Sequence, residues 1–190
     1  PGSVKPMVVY LSKARAQILL GEWDKARQNL ERAYFYGADE ATVVEGMGYV
    51  SHETGIPNRA STGRLLASLT SRPESLLLAG ELLQMDGLYE ESREILEPLS
   101  LNKMFEEEGQ EELKQRLALR LGDAALNAND IPKAREYWIQ GPKDITELRF
   151  IQARMLEKGS NEWVRSVPQL KMIANKNDGS IEAEALYLIG

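Results

Sequence analysis

Gly21-Glu22-Trp23-Asp24-Lys25-Ala26 is the stretch that decides the fold, because the chain repeats it. The phrase is a turn glycine, an aromatic or proline two places on and an alanine three further. Apolar residues follow four and seven beyond the alanine, here Leu30 and Ala33. It returns as Gly55-Ile56-Pro57-Asn58-Arg59-Ala60, with Ala67 at the last apolar place and Arg64 where an apolar residue is expected. A third copy is Gly87-Leu88-Tyr89-Glu90-Glu91-Ser92 with Leu96 and Leu99, and a fourth is Asn129-Asp130-Ile131-Pro132-Lys133-Ala134 with Trp138 and Gly141. A weaker fifth turns at Gly159. The first three turns are spaced 34 and 32 residues apart, and the step to the fourth is 42.

Each turn lies between two helical patterns. Leu76, Ala79, Gly80 and Leu83 recur at the three-and-four spacing that puts them on one helix face, and Ala118, Leu121, Gly122 and Ala125 repeat the pattern. Val44, Met47, Gly48 and Ser51 take the same places before the second turn. Small residues at Gly48, Gly80, Gly122, Ala26, Ala60 and Ala134 allow close approach of antiparallel helices, with larger side chains filling the grooves beside them. Gly or Asn at the turn suits a helix that ends in a left-handed conformation. The phase predicts helices near 7–20, 23–36, 39–54, 57–70, 73–86, 89–100, 111–128, 131–140, 144–158, 161–176 and 180–190. One such pair cannot bury its apolar face alone, whereas stacked neighbours can.

The 34-residue spacing, with Gly21/Trp23/Ala26, Gly55/Pro57/Ala60 and Gly87/Tyr89, resembles the tetratricopeptide (TPR) repeats. Leu186-Tyr187-Leu188-Ile189-Gly190 is similar to the Leu-Gly element that opens a further repeat. The resemblance spans most of Met7 to Gly190. It departs from the family pattern at Lys13 and Gln17 in the first repeat and at Gln152 in the fifth. It implies an all-α, right-handed superhelical solenoid of antiparallel helix pairs, about five repeats plus a truncated sixth. Residues 4–100 would hold repeats one to three, and 113–190 repeats four and five with the first helix of another. Between them, 101–112 reads as a longer acidic connection. Residues 1–3 read as the remnant of a cleaved tag, and the uncapped helix at the end reads as a cut from a longer array.

Composition narrows function. The 190 residues carry 23 basic and 29 acidic side chains, a net charge of −6, one histidine and no cysteine. That balance argues against nucleic acid, which needs a basic footprint. Disulfides, thiolate catalysis and Cys-ligated metals are excluded. No apolar run reaches the roughly 18–20 residues of a membrane span, so no direct membrane insertion is expected.

Candidate chemistry is sparse. His52 has Ser51 beside it in sequence, about 100° away around a helix, so the two do not face each other. The run Glu106 to Glu112 lacks the alternating ligands of a calcium loop and reads as a solvated loop and helix start. Gly46-Met47-Gly48 is half of a dinucleotide fingerprint without its strand, and small-residue helix packing accounts for it. Ser100 and Lys103 match an acyl-enzyme spacing with no companion motif. Trp23 and Trp138 read as packing residues between helices, and Trp163 as a surface residue. No cofactor and no catalytic set are expected.

In TPR arrays the first helices of successive repeats line a concave groove. The resemblance places Arg15, Ile18, Tyr49, His52, Glu53, Glu81, Gln84, Met85, Asp123, Asn127 and Arg149 there. That mixed set suits an extended or helical peptide, the aromatic and thioether giving apolar contact and the charges fixing register. The Lys and Asn set with which some TPR co-chaperones clamp a C-terminal carboxylate is absent; Leu11, Arg15, Gly46, Glu74 and Leu78 stand at those places. The expectation is a non-catalytic protein-interaction scaffold in a multiprotein assembly. Alternatives are a module that self-associates end to end, or a regulatory domain of a larger enzyme. The repeats and the absent cysteine suit a bacterial protein, in the periplasm or the cytoplasm.

Overall fold

A computed structural model describes residues 5–101, 109–158, 160–176 and 179–189. The first three residues, the acids from 106 to 108, the turn expected at Gly159 and the terminal Gly190 lie outside the described residues. The chain is all-helical, with eleven α-helices and no strand among the described residues. It divides into two compact units, residues 1–102 and 103–190, and the division falls inside the stretch expected as a long connection.

The first unit contains α1 (Pro6–Leu19), α2 (Trp23–Phe35), α3 (Glu40–Thr54), α4 (Arg59–Leu69), α5 (Pro73–Met85) and α6 (Tyr89–Leu96), followed by a 3-10 turn, Glu97–Leu101. The second contains α7 (Glu111–Asn127), α8 (Ile131–Trp138), α9 (Lys143–Lys158), α10 (Ser160–Lys176) and α11 (Gly179–Ile189). All eleven lie near the ranges expected from the sequence, with α6 giving way at Leu96 to the 3-10 turn that fills the rest of its expected span. Local chemistry sets their starts. Pro6 and Pro73 occupy the first turns of α1 and α5, where a missing N–H costs nothing. The carboxylates of Asp39 and Asp130 and the side chain of Asn58 accept from Thr42 N, Lys133 N and Ser61 N, capping α3, α8 and α4.

Four of the expected turn residues are left-handed: Gly21, Gly55, Gly87 and Asn129 have φ of 70°, 75°, 79° and 60°. Three of these turns share one hydrogen-bond pattern. Glu22 N donates to Gln17 O, Leu88 N to Leu83 O and Asp130 N to Ala125 O, a six-to-one bond that satisfies a carbonyl orphaned by the helix end. The turn at Gly55 closes differently, by Gly55 N donating to Ser51 O.

Around these turns runs a register. Seven residues before the turn sits a small residue (Ala14, Gly48, Gly80, Gly122), and nine after it a larger one (Leu30, Arg64, Leu96, Trp138). A Cβ on Gly80 would lie 2.6 Å from Leu96, and one on Gly122 would lie 2.3 Å from the Trp138 ring. Contact between residues so placed on either side of a turn defines a helical hairpin. Leu30, Leu96 and Trp138 are 0–2% exposed. Trp23, half-buried, packs on the core of the first hairpin, and Trp138 lies at the heart of a cluster with Leu119, Ala125, Ala134 and Ala153.

In the first unit each helix packs on the next, and α3 also packs on both α1 and α5. α5 is apolar nearly all round, and nine of its thirteen residues are buried. In the second unit α9, α10 and α11 share the cluster of Leu148, Ile151, Leu170, Ile173 and Ala185.

Candidate functional site

The first unit has an open groove of about 540 Å³ between α1 and α3. Leu11, Ile18, Leu30, Gly46 and Tyr49 give it an apolar lining, and Arg15, Glu45 and Arg72 border it. Gly46 sits opposite Leu30, so that a Cβ there would lie 2.6 Å from the leucine Cδ2. Glu45 is committed within the unit: it accepts from Arg72 Nη1 at 3.1 Å and from the Ser75 hydroxyl at 3.0 Å. Arg15 is exposed and has no ion pair among the described residues. The groove thus offers apolar surface beside an available positive charge.

Three of the residues assigned to the groove from sequence, Arg15, Ile18 and Tyr49, meet in it. The others go elsewhere. His52, half-buried, bonds its exposed neighbour Glu53, Nδ1 to Oε1 at 2.8 Å. Ser51 is fully buried and donates its hydroxyl to the Pro57 carbonyl, so it is structural. Glu81 and Gln84 are 2% and 6% exposed, inside rather than on an open face, because α5 is enclosed on almost every side. Met85, at the end of α5, is 42% exposed, and Asn127 is exposed at the end of α7.

Asp123 and Arg149 come together in the second unit. Arg149 Nε donates to Asp123 Oδ1 at 2.8 Å, and Arg149 Nη1 reaches Glu184 of α11. Asp123 also accepts from the Trp138 indole N–H at 3.1 Å. Burial disfavours the Arg149 charge, but Asp123 and Glu184 outweigh it, and the guanidinium pKa is raised. These charges tie helices to one another, since the carboxylate that could meet a ligand is already engaged by an arginine and an indole.

Sequence reasoning missed Thr42, Glu45, Leu30 and Arg72 as groove residues. Arg72 lies just before α5, where helical phase carries no information. Gly46 did leave a signal: a glycine within a helix, where it costs about 1 kcal/mol relative to alanine, marks a place where something approaches closely.

Among the described residues there is no group of three His, Cys, Asp or Glu side chains that could hold a metal, and no helix long and apolar enough to cross a membrane. No family model, curated protein or solved structure matches the chain.

Proposed function

We propose that the chain is a TPR-like helical-repeat module, a right-handed solenoid of about five helix pairs with the first helix of a sixth. In this reading it binds a segment of a partner protein without catalysis, as part of a larger assembly. The observation that supports it is the α1–α3 groove, in which Arg15, Ile18 and Tyr49, assigned to a groove by the TPR resemblance, meet in one open apolar channel. The register of small and large residues around the turns supports the repeat reading. An apolar ridge of a helical or extended peptide fits such a channel, with a polar group of the partner meeting Arg15.

The test is capture by the intact chain and by the double variant Tyr49→Ala, Arg15→Glu, both shown by circular dichroism to melt alike. A partner held by the first and lost by the second, with hydrogen-exchange protection on α1 and α3, supports the groove. Equal retention sinks it. Concentration-dependent mass in the absence of any partner would favour end-to-end self-association.

A further inference from the structure

A different face of the first hairpin carries a second surface. Tyr34, Phe35 and Tyr36, at the end of α2, are 54%, 82% and 48% exposed. Tyr36 stacks on Tyr10 of α1 with centroids 5.5 Å apart and planes 12° apart, while Phe35 stands edge-on to Tyr36 at 5.3 Å. Arg32 and Lys13 lie over the Tyr10 ring at 5.8 and 5.9 Å. A cleft of about 430 Å³ opens among Tyr10, Gln28, Glu31, Arg32, Phe35 and Tyr36. Exposed aromatics in a group, joined by arginine, are the composition of binding hot spots rather than of ordinary surface.

Charge says what kind of partner fits. The chain has a net charge of −6, yet residues 5–36 hold six basic and three acidic side chains, and no acid precedes Glu22. In the first unit Arg27, Arg64, Arg72 and Arg93 each pair with a carboxylate, and Arg59 donates to the Ser51 and His52 carbonyls. Arg32 has no carboxylate partner among the described residues, and neither does Lys13. Glu31, the one acid lining the cleft among the described residues, is engaged by Arg27 at 2.7 Å. The corner therefore presents two available cations beside an aromatic edge.

We propose that this corner is a second docking site, for an acidic segment of a partner protein that carries a large apolar side chain. Its carboxylates meet Lys13 and Arg32, and its apolar side chain lies on Phe35 and Tyr36. The site is separate from the α1–α3 groove and stands whether or not the groove binds anything.

The probe is a fluorescein-labelled decapeptide of glutamates around one central phenylalanine, followed by fluorescence anisotropy. Its controls carry lysine for glutamate, or glycine for the phenylalanine. The acidic phenylalanine peptide is expected to bind saturably and to weaken as salt rises. Phe35→Ala and the pair Lys13→Glu, Arg32→Glu should each weaken it by about tenfold or more, while Tyr49→Ala leaves it unchanged. Because Phe35 is so exposed, Phe35→Ala should keep the melting temperature, which separates lost binding from lost fold. No binding of the acidic peptide, equal binding of the lysine peptide, or indifference to Phe35→Ala would overturn the proposal. So would attachment to phosphatidylserine-containing vesicles with no binding of the peptide, which would assign the corner to a lipid surface.

Discussion

The hairpins α5–α6 and α7–α8 close on themselves, whereas α3–α4 turns its close contacts toward its neighbour. In the first two, the glycine before the turn receives the large residue after it, Leu96 on Gly80 and Trp138 on Gly122. In α3–α4 the matching residue is Arg64, which leaves the hairpin and grips Glu91 of α6 through two bonds of 2.7 and 2.8 Å. The close approaches move with it. Gly48 faces Leu78 of α5, and Gly63 faces the Ala79 carbonyl of α5. Even the N-terminal turn of α4 is capped from outside, as Ala60 N donates to the Asp86 carboxylate at 2.9 Å. One register can thus serve two ends: Leu96 and Trp138, nine places after their turns, seal their own hairpins, whereas Arg64 at that place leaves α3–α4 to be sealed against α5.

Four substitutions test this contrast. The largest effect belongs to Trp138→Ala, which empties a fully buried site and takes the indole donor away from the Asp123 carboxylate; a loss of about 3–5 kcal/mol is expected in urea unfolding. A smaller loss would mean that α7 and α8 do not depend on the seal. Gly63→Ala comes next, at about 1–3 kcal/mol, because the new methyl meets a backbone carbonyl oxygen at 2.9 Å and neither side can swing away. Gly48→Ala should cost less than Gly63→Ala, about 1 kcal/mol, since the obstacle at 2.9 Å is the flexible tip of Leu78. If the order of these two is reversed, the tight seam of α3–α4 against α5 is misplaced. Arg64→Leu should move the urea midpoint by no more than its measurement error, because the position is exposed and the pair it breaks is solvated. A gain well above that would show that the hairpin can be sealed from within after all.

The same pair predicts a weak pH effect. The hydrogen bond from Arg64 holds the Glu91 carboxyl below its ordinary range. A depressed carboxylate pKa stabilises the fold above the unfolded-state value, and that contribution disappears as pH falls through the folded-state value. The native chain should therefore lose slightly more stability on acidification below about pH 4 than Glu91→Gln does, as read by melting temperature.

The hairpins were legible because a left-handed turn and a close helix crossing each demand particular residues. Gly21, Gly55, Gly87 and Asn129 could be found by their backbone requirement, and Gly80 and Gly122 by their periodic place. Even the odd Arg64 stood out as the residue that did not fit. The site was harder to read. Helical phase says which way a residue points but not what has already claimed it. Asp123 and Arg149 were assigned to the groove, and in the structure they engage each other. Glu81 and Gln84 were assigned to a concave groove surface on a helix with almost no open face, because α5 is hemmed in by α3, α4 and α6. Charge summed over the whole chain also hid a local reversal in α1 and α2, which only the distribution along the sequence exposes.

The enclosure of α5 has a kinetic consequence. An amide exchanges its proton with solvent only when its hydrogen bond opens, and helices buried on all sides open only with the unit that surrounds them. α1 has a single buried residue, Ala14, so its amides should exchange by fraying, within the first labelling times. Those of α5 should be the last in the first unit to take up deuterium, at a rate that tracks its global unfolding. Trapping by deuterium would therefore read the helices inward from α1 to α5, and the slowest protons would clock the lifetime of the unit itself.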